Sequence, residues 1–187
     1  MEEEEKHIAF VKLQERFTSY YNEIFCNNLA EKTVIIVPSL SLDNDMLSTI
    51  KGVAHYEERM LCMLMLLRMP KTHVIYLSSV PIDNTIIDYY LHMLPGITVY
   101  HAAQRLTLLS CYDASATPLT QKILTRPRLI KRILEHVKDP MMSHISCFNV
   151  TDLEKELALK LSIPVYGTDP SLASPGSKSG ARQLFKQ

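Results

Sequence analysis

Five short apolar runs recur along this chain, each separated from the next by a stretch long enough for one or two helices, and this alternation admits few architectures. The first, Thr33-Val-Ile-Ile-Val37, is closed by Pro38 and has no polar alternation, so it reads as a strand buried on both faces. His73-Val-Ile-Tyr-Leu-Ser78, Arg105-Leu-Thr-Leu-Leu109, His144-Ile-Ser-Cys-Phe148 and Pro164-Val-Tyr166 follow, with 97–100 as a weaker strand candidate. Strands that alternate with helices form a mostly parallel sheet with helices on both faces, an α/β fold.

The helices have legible stripes. Phe10, Leu13, Phe17, Tyr21 and Ile24 recur at three- and four-residue steps over the first thirty residues, which predicts one amphipathic N-terminal helix packed on the domain body. Residues 54–69 read as a helix apolar on nearly every side, with its methionines filling core rather than lining a groove. Asp83 can cap a helix striped by Ile86, Ile87, Tyr90, Leu91 and Leu94, which Pro95-Gly96 ends. Thr117-Pro118 opens a short helix as N-cap and first residue, and Pro127 opens another striped by Leu129, Ile130, Ile133, Leu134 and Val137. Thr151-Asp-Leu-Glu154 is a capping box before a helix that buries Leu153, Leu157 and Leu161. Ala181, Leu184 and Phe185 share one side of a last helical turn.

Composition narrows the function classes. Twenty basic and twenty acidic residues cancel across 187 positions, so no bulk charge favours nucleic acid or an anionic membrane. No apolar stretch approaches the roughly 20 residues that span a bilayer, and an acidic start unlike a leader peptide predicts a cytoplasmic or nuclear protein. Cys26, Cys62, Cys111 and Cys147 lie too far apart for a local zinc motif and read as reduced, mostly buried thiols. No metal-binding histidine spacing occurs.

Open parallel sheets bind ligands beyond the carboxyl ends of their strands. The polar residues at those ends make a candidate ligand cleft of Ser39, Asp43, Ser79, Asp83, Asp113, Asn149, Thr151 and Asp169, against the simpler reading that they cap helices and make turns. A dinucleotide site needs glycines after the first strand so that phosphate can approach backbone amides, and none lies between Val37 and Lys51. Gly176-Ser-Lys-Ser179 is not a phosphate loop, because Lys178 does not directly follow a glycine. No GxSxG elbow occurs, and no catalytic residue is assigned. Six basic residues (Lys122, Arg126, Arg128, Lys131, Arg132, Lys138) against one acid, Glu135, could touch phosphates, but without interleaved aromatics they read as a solvated helix face.

Several segments in one order carry a resemblance. They are His55-Tyr-Glu-Glu-Arg59, Ser79-Val-Pro-Ile-Asp83 with Asp88-Tyr-Tyr90, and Arg105-Leu-Thr-Leu-Leu-Ser-Cys111 with Asp113-Ala-Ser115. Lys122-Ile-Leu124 with Arg126-Pro-Arg-Leu129, Phe148-Asn-Val-Thr151, and Gly167-Thr-Asp-Pro170 with Gly176-Ser-Lys-Ser-Gly180, Arg182 and Phe185 complete the series. Over about residues 33–187 it resembles the domain that precedes the ATP-grasp domain in carboxylate–amine ligase-like proteins, a family with bacterial peptide ligases and an animal branch. The Met- and Tyr-rich, near-neutral composition is more similar to the animal branch.

After the N-terminal helix over 1–30, the resemblance implies a Rossmann-like pre-ATP-grasp domain over 31–170, and a loop and helix over 171–187 leading toward an ATP-grasp lobe this chain lacks. ATP and Mg²⁺ would belong to that lobe, so no cofactor is expected here. Lys178, Arg182, Leu184 and Phe185 would face the lobe or a protein partner. The implied function is a non-catalytic binding or scaffold domain. The alternative is the substrate-side lobe of an ATP-dependent peptide ligase, and an RNA-binding module comes third. Calmodulin binding is not supported: an IQ-type pattern could start at Leu13-Gln14, but the Arg-Gly expected next stands as Thr18-Ser19 and the second arginine as Glu23.

Overall fold

A computed structural model describes residues 3–42, 44–172, 180–182 and 185. Five strands form one all-parallel sheet: β1 (Lys32–Val37), β2 (Thr72–Ser78), β3 (Leu106–Ser110), β4 (Ser143–Cys147) and β5 (Val165–Tyr166). Their order is β3-β2-β1-β4-β5, so the chain winds outward from β1 to β3 and then returns to the other side of β1. The crevice where winding reverses lies between the carboxyl ends of β1 and β4.

All six residues of β1 are buried, and alternate side chains serve two cores. Ile35 and Val37 join Ile75, Leu77, Ile145, Leu157 and Ile133 on one face, whereas Val34 and Ile36 join Val74, Tyr76, Leu61, Leu64 and Leu67 on the other. The first face is covered by α6 (Leu119–Leu124), α7 (Pro127–His136) and α8 (Asp152–Leu161). The second is covered by a long 3-10 helix (Val53–Arg68), α4 (Asn84–His92) and α5 (Val99–Ala103), while α3 (Asn44–Thr49) lies just after β1 in the chain.

Three expectations need correction. Residues 97–100 enter helix α5 instead of a strand: Thr98 leaves helical geometry and its hydroxyl accepts from the His101 amide, an N-cap that starts the helix. Pro118, not Thr117, is the residue before α6. The N-terminal helix is two segments, α1 (Glu3–Ser19) and α2 (Tyr21–Cys26), and Tyr21 is exposed.

Residues 53–68 are helical as expected but wound with three residues per turn, which eclipses side chains three apart. The result is three straight rows. Leu61, Leu64 and Leu67 are buried, Cys62, Met65 and Arg68 are exposed, and Met60, Met63 and Leu66 sit between. Burial of the thiols is also less general than expected, because Cys26 and Cys62 are exposed while Cys111 is buried; all four are free.

Helix α1 explains how the sheet ends at β5. An edge strand presents unpaired amides and carbonyls. Here the Gln14 carboxamide takes the place of a sixth strand: its Nε2 donates to the Val165 carbonyl at 2.9 Å and its Oε1 accepts from the Val165 amide at 3.0 Å. Phe10 anchors the helix in one core, and Phe17 packs beside His144 on the other side of the sheet. Gln14→Ala would leave both Val165 groups without a protein partner and is expected to cost about 1–3 kcal/mol. Urea unfolding checks this; an unchanged midpoint would mean the bridge contributes nothing.

Candidate functional site

The polar residues expected at the carboxyl ends of the strands separate into two buried clusters bridged by α6, plus two turn residues. Asp83 caps α4, accepting from the Thr85 amide at 2.7 Å, and Asp169 makes a turn with Ser171 at 2.8 Å. Both carboxyls lie below the ordinary aspartate range with hydrogen bonds from these neighbours, which in Asp169 work against the opposing effect of burial. Asp43 falls outside the described residues.

The first cluster occupies the switch-point crevice. Its centre is Glu154, fully buried one turn into α8. Its Oε1 accepts from the Ser41 and Thr120 hydroxyls, both at 2.5 Å, and its Oε2 from the Thr151 amide at 2.8 Å and the Thr151 hydroxyl at 2.6 Å. Ser39 Oγ lies 2.8 Å from Ser41 Oγ and accepts from the Thr120 amide at 3.2 Å. Asn149 clasps the Ser41 backbone, its Oδ1 accepting from the amide at 3.2 Å and its Nδ2 donating to the carbonyl at 3.3 Å. The capping box is thus present, and its glutamate does more than cap: it gathers loops after β1 and β4 and the start of α6. Four hydrogen bonds thus converge on its two oxygens at the amino-terminal end of α8.

The second cluster lies past β2 and β3. Ser79 donates its amide to Glu57 Oε2 at 2.5 Å and its hydroxyl to Glu57 Oε1 at 2.6 Å. Lys122 Nζ donates to Ser79 Oγ, the Asp113 carbonyl and the Ser115 carbonyl, each at 2.8 Å. Arg126 adds an ion pair to Asp113 Oδ2 at 2.7 Å and donates to the Lys122 carbonyl at 2.8 Å. Burial raises the Glu57 carboxyl against the Ser79 hydrogen bonds and then Lys122, and it lowers the Lys122 ammonium against the attraction of Asp113 and then Glu57. Hydrogen bonds from Ser115 and then Arg126 hold Asp113 far below the ordinary range.

This geometry bears on catalysis. A lysine activates a serine only by accepting its proton. Here all three ammonium donors are engaged, and the Ser79 hydroxyl proton points to Glu57. The trio is a strut that ties the β2 and β3 ends to α6. The cleft beside it, between Leu40, Tyr56, Ser79 and Lys122, has a volume of about 20 Å³, room for about one water. Burial pushes the neighbouring Cys111 thiol up to about 11, away from thiolate chemistry.

Sequence reasoning missed Glu57, Thr120 and Lys122 as members of these clusters. The sequence pattern puts Lys122 on a solvated basic face, yet it is buried, and Arg126 is paired with Asp113. The basic stretch is therefore shorter than the sequence suggests, with Arg128, Lys131, Arg132 and Lys138 left exposed. Of the expected interface residues, Lys178 and Leu184 lie outside the described residues, Arg182 is exposed, and Phe185 is 92% exposed.

The fold and the crevice define a doubly wound parallel α/β domain of Rossmann-like build. The chain is similar to IQ motif-containing protein H of Danio rerio, at 30% identity over 172 aligned residues that cover 83% of the chain. It is also similar to the L-propargylglycine–L-glutamate ligase of Streptantibioticus cattleyicolor, at 27% identity over 158 residues that cover 81%. It spans only 16% of the first relative's length and 32% of the second's. No family model matches the chain, and no solved structure matches it. Among the described residues, no helix is long and apolar enough to cross a membrane, and no group of three acids, histidines or cysteines could hold a metal.

Proposed function

We propose that this chain is a pre-ATP-grasp-type domain that acts by binding and positioning within a ligase-like protein, without carrying out phosphoryl transfer itself. The observation that carries this reading is the Glu154 network. Where a dinucleotide-binding relative of this architecture would leave open backbone amides for phosphate, this chain places a buried carboxylate whose oxygens are already bonded to Ser41, Thr120 and Thr151. An anionic phosphate would meet those acidic oxygens, with no glycine between Val37 and Lys51 to let it approach the backbone. Similarity over four-fifths of the chain to a ligase and to IQ motif-containing protein H supports the ligase-like setting. The partner would be an ATP-grasp lobe or another protein docked near the bare Phe185 ring.

Isothermal titration with Mg-ATP is expected to give no saturable binding up to about 1 mM. A dissociation constant near 1 μM, about −8 kcal/mol, would overturn the proposal.

A further inference from the structure

A second cavity lies on the sheet face opposite α8, far from the carboxyl-end clusters in character and in lining. It has a volume of about 370 Å³, within the 300–1,000 Å³ that small-molecule sites occupy. The 3-10 helix builds one wall. Its three-residue winding sets Met60, Met63 and Leu66 in one row along the cavity, and Met69 extends the row. Thioether side chains adapt to apolar ligands of varied shape. Phe25 of α2 and Tyr166 of β5 supply aromatic surface, their ring centroids 5.3 Å apart.

The floor is polar where an apolar core would be expected. Strand register pairs His144 with Val34, and the His144 ring lies among Phe17, Phe25 and Tyr166 at 5.3–6.4 Å. The side chain is only 4% exposed, yet its Nδ1 has no hydrogen-bond partner. Buried polar atoms are nearly always paired, so an imidazole with an unpaired nitrogen is an unusual residue to find in the wall of an otherwise apolar cavity. Lys32 lines the same cavity. It is 2% exposed, and its ammonium, with three donors, has the Ile24 carbonyl as its one hydrogen-bond acceptor among the described residues. Cys26 and Glu23 act on the ammonium through space without a hydrogen bond to it, so its spare donors are free to take an anion.

We propose that this cavity binds an apolar monocarboxylate, its acyl or aryl body among the methionines, Phe25 and Tyr166 and its carboxylate toward Lys32 and His144. The inference is independent of the positioning role proposed above, because it rests on the opposite sheet face and on residues outside both carboxyl-end clusters. The ligand is selected by two features together. A hydrocarbon alone would leave the spare ammonium donors and the imidazole without a ligand partner, and a short polar acid would leave the methionine wall wet.

Sodium decanoate is the probe, kept below its micelle concentration, with decylamine as the charge control. Titration calorimetry on the whole chain is expected to show one saturable decanoate site and none for decylamine. Lys32→Met should weaken decanoate at least about tenfold, and Met63→Trp, which fills the cavity, should abolish it. Circular dichroism and a thermal melt confirm that each variant is folded. If Lys32→Met does not fold, Met63→Trp alone decides, since it leaves both polar groups in place. No saturable binding up to about 1 mM, equal binding of decylamine, or decanoate binding unchanged in folded Met63→Trp would each overturn the site.

Discussion

Replacing Glu154 by alanine is expected to lower the unfolding free energy by about 3–5 kcal/mol, a large fraction of the roughly 5–15 kcal/mol of an ordinary domain. The side chain is wholly buried and accepts from the Ser41, Thr120 and Thr151 hydroxyls and the Thr151 amide, so its removal strands four donors at the switch point at once. Thr151→Ala touches the same cap from the other side. It should cost only about 0.5–2 kcal/mol, because Ser41 and Thr120 keep their acceptor. The contrast separates a helix cap from a hub. Urea denaturation of both variants checks it, and equal losses would mean that Glu154 serves the capping box alone. Glu154→Gln should fall between the two, since an amide keeps the shape but turns one acceptor into a donor.

The second large effect is expected at Lys122. Lys122→Met preserves the aliphatic stem but removes the cation opposite Glu57, which is itself 8% exposed, and strands the carbonyls of Asp113 and Ser115. The two charges meet through the Ser79 hydroxyl, and removing one charge from such a buried set costs about 3–5 kcal/mol at most. The loss should depend on pH in a defined direction. The folded-state Glu57 carboxyl is already raised above its ordinary value of 4.5 by burial, and losing Lys122 raises it further. A raised carboxyl means that the folded state takes up a proton before the unfolded state does. As pH falls from neutral through the folded Glu57 pKa toward 4.5, the variant therefore recovers stability relative to the parent. Unfolding midpoints of both proteins across that range test this. A difference that stays constant with pH would show that lost packing, not the unpaired carboxylate, sets the cost.

These two residues also mark where the sequence was and was not legible. Thr151 and Glu154 stand three residues apart in one helix start, so a local rule found their bond; Ser41 and Thr120, which share the same carboxylate, are 113 and 34 residues away from it. Lys122 was visible as a charge among charges. Only the burial of α6 against the β2 and β3 ends turns it inward, and nothing in the stretch 122–138 distinguishes it from Lys131. Glu57 stood within a segment that carried the family resemblance, but its pairing with Ser79 spans 22 residues and a strand.

What the sequence determined by itself is the set of local periods. β-branched runs without polar alternation required strands buried on two faces, and the helices between them required parallel pairing, so a doubly wound sheet followed. Asp83 and Thr151 fixed two helix starts through bonds within three residues. The three-residue spacing of Met60, Met63, Leu66 and Met69 was also written there, but it lies close enough to 3.6 to pass for an ordinary helix. The tertiary structure alone decided the strand order, the Gln14 bridge to Val165, the hub at Glu154, and the cavity that leaves His144 and Lys32 wanting partners. Each of these depends on which distant segments meet in three dimensions, and hydrogen bonds and desolvation act at a few ångströms regardless of how many residues lie between.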